Sequence, residues 1–352
     1  MGSDRFDVDE LKHILRPGSS AAKIDWGNEE HRRCMVACMV KGAYVLESDR
    51  AMGRTEAAAL APAWWESFHF RLNQKLTDGR SIYGAIYEHV AGPRHPAAPR
   101  YVVAFRGTML KNPDRKVMVK DVILDVNILT NTLKYRTRSK RARGAVEGLM
   151  ADPARSNPDR EECADVWLAG HSLGASLALD VGRNMIVEWG LNLPTFLFNP
   201  PQVSLTPVLN LLKATDKAKS GLHLTSFVWK VAAGRFSDSH RENMGQLFKK
   251  LEPWVLNLYV HDKDWICQGF IDYFELRQKY RERFPDAGTV WMTISYRDML
   301  SRLFGEETGQ PHLLPSATLW KSRLETDAHG LQQWWKPDRV LELGAKSYSY
   351  TT

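Results

Sequence analysis

The sequence predicts an α/β fold: a mostly parallel central sheet flanked by helices, with a helical cover at the N-terminus. Three observations predict it. Short apolar runs alternate with stretches of helical periodicity along most of the 352 residues, the pattern of strands joined by crossover helices. One run, Asp165-Val-Trp-Leu-Ala169, passes through Gly170-His-Ser-Leu-Gly174 directly into a segment rich in small residues. That order is strand, tight turn, helix. The composition, 43% hydrophobic and 25% charged, suits a globular chain with a sizeable core. No internal repeat or low-complexity linker divides the chain, so residues 1–352 read as one domain, with 1–75 as the N-terminal helical cover.

Taken in order, residues 28–50 read as a helix, with Cys34, Val36, Cys38, Val40 and Val45 set among polar residues. Residues 60–72 are rich in aromatics and suited to packing on a core. Ser81 to Val90 and Tyr101 to Phe105 read as strands, separated by a Gly- and Pro-bearing turn at 91–99. Residues 118–151 read as mainly helical. Strand 165–169 and helix 173–188 follow. Pro194 to Phe198 is the next strand, stopped by Asn199-Pro-Pro201. Residues 205–250 are polar and basic with weak periodicity. Pro253 to Val260 is a further apolar strand. Helical stretches at 269–282 and 296–304 and a strand near 289–293 complete the set.

No run of 18 apolar residues occurs, so no membrane-spanning helix is expected. Residues 1–10 are acidic and polar and lack the basic start and apolar core of a secretory leader. Phe6 stands where a myristoylation site needs Ser or Thr, and residues 347–352 carry no retention or prenylation motif. Four cysteines (Cys34, Cys38, Cys163, Cys267) in so long a chain make no disulfide framework. Cys34 and Cys38, four apart on an apolar helical stretch, read as small core residues rather than zinc ligands. These signs suit an intracellular, cytoplasmic protein. Lys and Arg number 48 against 41 Asp and Glu, a net +7. Much of the excess lies in 134–143, which reads as a solvated helix face; contact with an anionic membrane surface or nuclear import are the sharper alternatives. No nucleic-acid-binding module accompanies the charge, so no nucleic-acid partner is expected.

The segment around Ser172 carries chemistry. Gly170-His171-Ser172-Leu173-Gly174 between a strand and a helix is the G-x-S-x-G nucleophile elbow in the context it requires. Side chains at Gly170 and Gly174 would clash with the neighbouring strand and helix. The helix N-terminus behind Ser172 favours a developing negative charge. A nucleophilic serine needs a base, and the base needs an acid to orient it. The chain order for such a site is Ser, then Asp or Glu, then His. The strand at 253–260 ends at Asp262 and Asp264, both candidate acids. His312 and His329 are candidate bases on late loops. Spacing does not choose within either pair. An oxyanion hole needs two N–H donors. Leu173, after the serine, is one. Thr108, after the strand end Phe105-Arg-Gly, is the other, with Gly107 permitting close approach.

With those residues in place, Phe105-Arg-Gly-Thr108 followed by Gly170-His-Ser-Leu-Gly174 resembles the class 3 lipases. More closely, the chain resembles a group of plant class 3 lipase-like α/β hydrolases often labelled "GDSL esterase/lipase", although no Gly-Asp-Ser-Leu occurs here. The closer match rests on Asp25-Trp-Gly-Asn-Glu-Glu-His-Arg-Arg33, Leu60-Ala-Pro-Ala-Trp-Trp65 with Phe68-His-Phe70, His312-Leu-Leu-Pro-Ser316, and Ala328-His-Gly-Leu-Gln-Gln-Trp-Trp335. The resemblance implies that Asp264-Trp-Ile-Cys267 occupies the family's Asp-x-Val-Pro frame, with Cys267 in place of proline. It implies that His329-Gly-Leu-Gln332 occupies the late His-x-Leu-Glu motif, with Gln332 in place of Glu. It therefore favours Asp264 over Asp262 and His329 over His312. His171 keeps a supporting role, its side chain pointing away from Ser172. A lid is implied at 109–118, which here is polar and lacks a clear apolar face.

The resemblance implies a serine carboxylic-ester hydrolase acting on an acyl ester or acyl lipid through an acyl-enzyme, with no metal or organic cofactor. The alternatives are a catalytically idle regulatory protein that acts through a protein partner, and transfer of the acyl group to an acceptor other than water.

Overall fold

The computed structural model describes residues 3–14, 24–79, 81–90, 95–109, 133–151, 165–202, 238–283, 314–324 and 327–349. Among them, eight strands form one sheet whose spatial order follows the chain. They are β1 (Phe70–Asp78), β2 (Ser81–His89), β3 (Tyr101–Phe105), β4 (Val166–His171), β5 (Thr195–Phe198), β6 (Leu256–His261), β7 (Ala317–Ser322) and β8 (Gly344–Tyr348). β3 through β7 run parallel. The pairs β1–β2, β2–β3 and β7–β8 are antiparallel. The sheet is mostly parallel, as the alternating pattern predicts.

Helices cover both faces. On one lie α3 (Leu133–Met150), α4 (Leu173–Trp189), α5 (Asp238–Leu251) and α6 (Gln268–Arg283). On the other lie α1 (Glu29–Met52), α2 (Ala63–Glu66) and a 3-10 turn at Leu331–Trp335, followed by α7 (Asp338–Leu341). The central strands divide their side chains between these layers with period two. Tyr101, Val103 and Phe105 of β3 face the α4 layer while Val102 and Ala104 face α1; in β4, Val166 and Leu168 face one way and Trp167 and Ala169 the other. Strands buried on both faces carry no polar alternation, which is why they stand out as apolar runs.

α1 begins at Asn28, whose side chain accepts the Glu30 N–H at 2.9 Å, and ends at Gly53 with φ 64°. It is buried from Arg33 to Asp49 without a break. The sheet lies under it, and the 331–335 turn and residues 4–14 lie over it. Its buried charges are paired: Arg33 with Asp338, Lys41 with Asp4, Glu47 with Arg106, and Asp49 with Arg54.

Several elements differ from the sequence reading. Residues 70–75, read as part of the N-terminal cover, are strand: they open β1, an edge strand whose outward residues Arg71, Gln74 and Lys75 are exposed. Two register shifts break its alternation, so period two is not visible in the sequence. β7 and β8 add to the strands the sequence predicts, and most of β8 is exposed. The helix α5 lies in the 205–250 stretch of weak periodicity. β6 begins at Leu256 rather than Pro253 because Trp254 leaves the strand path, its indole N–H donating to the Leu193 carbonyl at 3.0 Å. The strand expected near 289–293 and the helix at 296–304 lie outside the described residues. No helix among the described residues is long and apolar enough to cross a membrane. Cys34, Cys38 and Cys267 are buried thiols, and Cys163 lies outside the described residues.

Gly182 of α4 lies against the indole of Trp254, and an added methyl there would overlap the ring. Ala is worth about 1 kcal/mol over Gly in a helix, but overpacking costs about 1–3 kcal/mol. Gly182→Ala is therefore expected to lower stability in urea denaturation. A midpoint equal to or above the parent's would contradict this packing.

Candidate active site

β4 turns into α4 with no intervening loop. Ser172 sits at the junction with φ 54° and ψ −128°, a conformation that costs a non-glycine residue about 1–3 kcal/mol. Its N–H donates to Phe198 at 3.0 Å, and its carbonyl accepts the Ala175 N–H at 2.8 Å. Neither Gly170 nor Gly174 has a positive φ. Their requirement is space: a Cβ on Gly170 would collide with the Gly174 carbonyl, and one on Gly174 with the Phe105 carbonyl. The motif's glycines let β4, α4 and β3 touch.

Asp264 lies in the turn after β6 and is 2% exposed. Its Oδ2 accepts from His329 Nδ1 at 2.8 Å and from Asn199 Nδ2 at 2.7 Å, and its Oδ1 accepts the Ile266 N–H at 3.1 Å. His329 Nε2 stands 3.0 Å from Ser172 Oγ. A carboxylate only accepts, so the ring proton belongs on Nδ1, and Nε2 faces the serine hydroxyl as an acceptor. Ser172, His329 and Asp264 thus lie on one hydrogen-bonded line.

Burial opposes charge on both partners of the His329–Asp264 pair. It raises the Asp264 pKa, yet the attraction of His329 and the hydrogen bonds from His329, Asn199 and Ile266 outweigh it and hold the carboxyl below its ordinary value. Burial lowers the His329 pKa, yet the charge of Asp264, the hydrogen bond to it and the charge of Asp327 outweigh that and hold the imidazole above its ordinary value.

The competing acid, Asp262, stands apart. Its carboxylate lies 3.4 Å from Nδ1 of His261, and its N–H donates to Ser322. His312 lies outside the described residues. Leu173 opens α4, so no carbonyl of its own helix can satisfy its N–H. Thr108 is exposed in the loop after β3. A Cβ on Gly107 would come to 2.9 Å from the Ser172 Cβ, so a bare backbone brings that loop to the serine. The N–H of Gly107 itself is engaged, donating to Tyr44 Oη at 2.8 Å. The N–H of Thr108 is the next along that loop.

His171 points away from Ser172 and meets α1. Its Nδ1 is 2.9 Å from Tyr44 Oη, and its Nε2 is 2.9 Å from the His329 carbonyl. The His329 carbonyl only accepts, so Nε2 carries the ring proton and donates to it, and Nδ1 of the neutral ring accepts the Tyr44 hydroxyl proton. Burial, and the nearby His329, drive the His171 pKa down to about 3. The ring stays neutral, as this order of donors requires. Tyr44 and Asn199 are the site residues that the sequence reading missed. Tyr44 reads as one more apolar-stretch residue, and Asn199 only as the stop of a strand.

Of the basic run 134–143, Arg138 pairs with Asp78 and Arg143 with Asp180, while Arg136 and Lys140 are exposed. Of the expected lid, only Met109 is described. No group of three or more His, Cys, Asp or Glu among the described residues could hold a metal ion.

No family model matches the chain. A GDSL esterase/lipase of Arabidopsis thaliana is 35% identical over 354 residues, covering 93% of this chain and 94% of that protein.

Tyr44→Phe removes one hydroxyl and leaves both the Gly107 N–H and His171 Nδ1 without their partner. A buried group so orphaned costs about 1–3 kcal/mol. The variant is expected to lose that much in chemical denaturation, and equal stability would contradict the network.

Proposed function

This chain belongs to the esterase/lipase family of its Arabidopsis relative, a lipase-like ester hydrolase, and from that premise we propose that it is a serine carboxylic-ester hydrolase with Ser172, His329 and Asp264 as its triad. The observation that carries the reading is the single line of hydrogen bonds from Ser172 Oγ through His329 to Asp264. In the first step His329 Nε2 takes the hydroxyl proton as Ser172 Oγ attacks the ester carbonyl. Asp264 holds the imidazole in the required tautomer and stabilises its cation. The carbonyl oxygen, now negative, accepts from the N–H groups of Leu173 and Thr108. His329 then protonates the leaving alkoxide. Water, deprotonated by the same imidazole, releases the acid and restores the serine. The substrate class is an acyl ester or acyl lipid. The Phe105-Arg-Gly-Thr108 and Gly170-His-Ser-Leu-Gly174 pair supports a class 3 lipase-like subtype.

A fluorophosphonate probe bonds only to an activated serine. It is expected to label the parent and to leave Ser172→Ala and His329→Ala unlabelled. Turnover of p-nitrophenyl butyrate should fall by about 10⁴-fold or more in Ser172→Ala. An unlabelled but folded parent, or turnover that survives the serine replacement, would overturn the reading.

The pH dependence follows from the raised His329 pKa. The imidazole is a base only when neutral, so kcat/KM should fall as pH drops through a value above 6.5, the ordinary histidine pKa. An acidic limb at or below that value would contradict the proposed pairing with Asp264.

A further inference from the structure

Asn199 lies where three parts of the proposed triad's surroundings converge, and it is fully buried. It follows β5 directly with φ 46°, a left-handed conformation that asparagine tolerates better than most residues. Its N–H donates to the Tyr259 carbonyl of β6 at 2.8 Å, which anchors the backbone. The side-chain amide then reaches three groups. Its NH₂ donates to Asp264 Oδ2 at 2.7 Å and to the Ala328 carbonyl at 3.0 Å, while its Oδ1 accepts the indole N–H of Trp334 at 2.6 Å. The direction of the amide is unambiguous: a carboxylate and a carbonyl only accept, and an indole N–H only donates. Both amide protons and the carbonyl oxygen are thereby used.

The three partners are not scattered. Asp264 is the proposed acid. Ala328 immediately precedes the proposed base, and Trp334 lies in the turn that follows it. Oδ2 of Asp264 receives the Asn199 and His329 protons together, so the amide fixes the carboxylate rotamer in which that oxygen faces the imidazole. By holding the Ala328 carbonyl, the same amide fixes the backbone that carries the imidazole. We propose that Asn199 is a positioning residue for ester hydrolysis, holding acid and base in register through one side chain. This rests on the triad reading above.

The test uses the purified full chain with p-nitrophenyl butyrate. Asn199→Gly keeps the left-handed backbone and removes only the amide. It is expected to lower kcat by about tenfold or more, the loss typical of one hydrogen bond to a charged group, with KM within about twofold of the parent. Asn199→Asp also tolerates the backbone but sets a second carboxyl against Asp264. Two buried carboxyls so close share one proton, so the variant keeps one donor where the amide has two, and its kcat should lie below the parent's. Trp334→Phe keeps the ring but removes the N–H that directs the amide, and should lower kcat in the same sense. A parent-like kcat in Asn199→Gly, or a KM that rises while kcat holds, overturns the proposal. If Asn199→Gly does not fold, a parent-like kcat in Trp334→Phe overturns it. Ser172→Ala run beside them separates the two readings: if that variant keeps its turnover, the triad reading itself falls. If it loses turnover while the Asn199 variants behave as the parent, only the positioning role falls.

Discussion

A serine held at φ 54° between a strand and a helix is the constraint on which the rest of this architecture depends. The conformation is unfavourable in isolation and persists only where its surroundings over-determine it. Here that is done by contact rather than by any single strong bond. β3, β4 and α4 approach so closely that Gly170 and Gly174 have no room for a Cβ. β5 accepts the Ser172 N–H, and the α4 layer packs below. The sheet is mostly parallel, so β3, β4, β5 and β6 all end on the same side. Their C-terminal ends deliver Gly107 with Thr108, Ser172, Asn199 and Asp264 to one place, the edge where open α/β sheets gather their functional groups.

His329 reaches that place from a loop beyond β7, and its loop is fastened from several directions. Arg33 of α1 donates to the carbonyls of Trp334 and Lys336 at 2.9 Å each and pairs with Asp338. His171 donates to the His329 carbonyl, and Asn199 to that of Ala328. α1 thus touches both ends of the site: Tyr44 caps the Gly107 N–H in the loop after β3, and Arg33 clamps the segment after the imidazole. A helix with so many buried charges would destabilise the fold if they were unpaired. Each has a partner, and several of those partners fix the site's surroundings.

What could be read from the sequence follows from the range of the interactions involved. β3 through β6 are buried on both faces and show as apolar runs. The Ser172 turn is legible because its requirements, two residues with no side chain and a strand before a helix, are all local. β1 and β8 escape notice because edge strands bury one face or none, and β1 also breaks register; β7, inside the sheet beside β8, mixes buried with half-buried residues and shows no apolar run. The choice between Asp262 and Asp264 depends on which carboxylate turns toward a histidine 65 residues away. Spacing holds no information on that, and only the resemblance to lipases favoured Asp264. Tyr44 and Asn199 are further from reach still. Nothing in their neighbours sets them apart, and their bonds are to groups 63 and 65 residues distant.

The central claim is that Ser172, the Leu173 and Thr108 amides, and the His329–Asp264 pair form one working unit. A crystal structure of the protein after reaction with a phosphonate ester tests it most directly. The account predicts phosphorus bonded to Ser172 Oγ, the phosphoryl oxygen within hydrogen-bond distance of both the Leu173 and Thr108 N–H groups, and His329 still bonded to Asp264. Phosphorus on another side chain, or a phosphoryl oxygen turned away from those two amides, would contradict it.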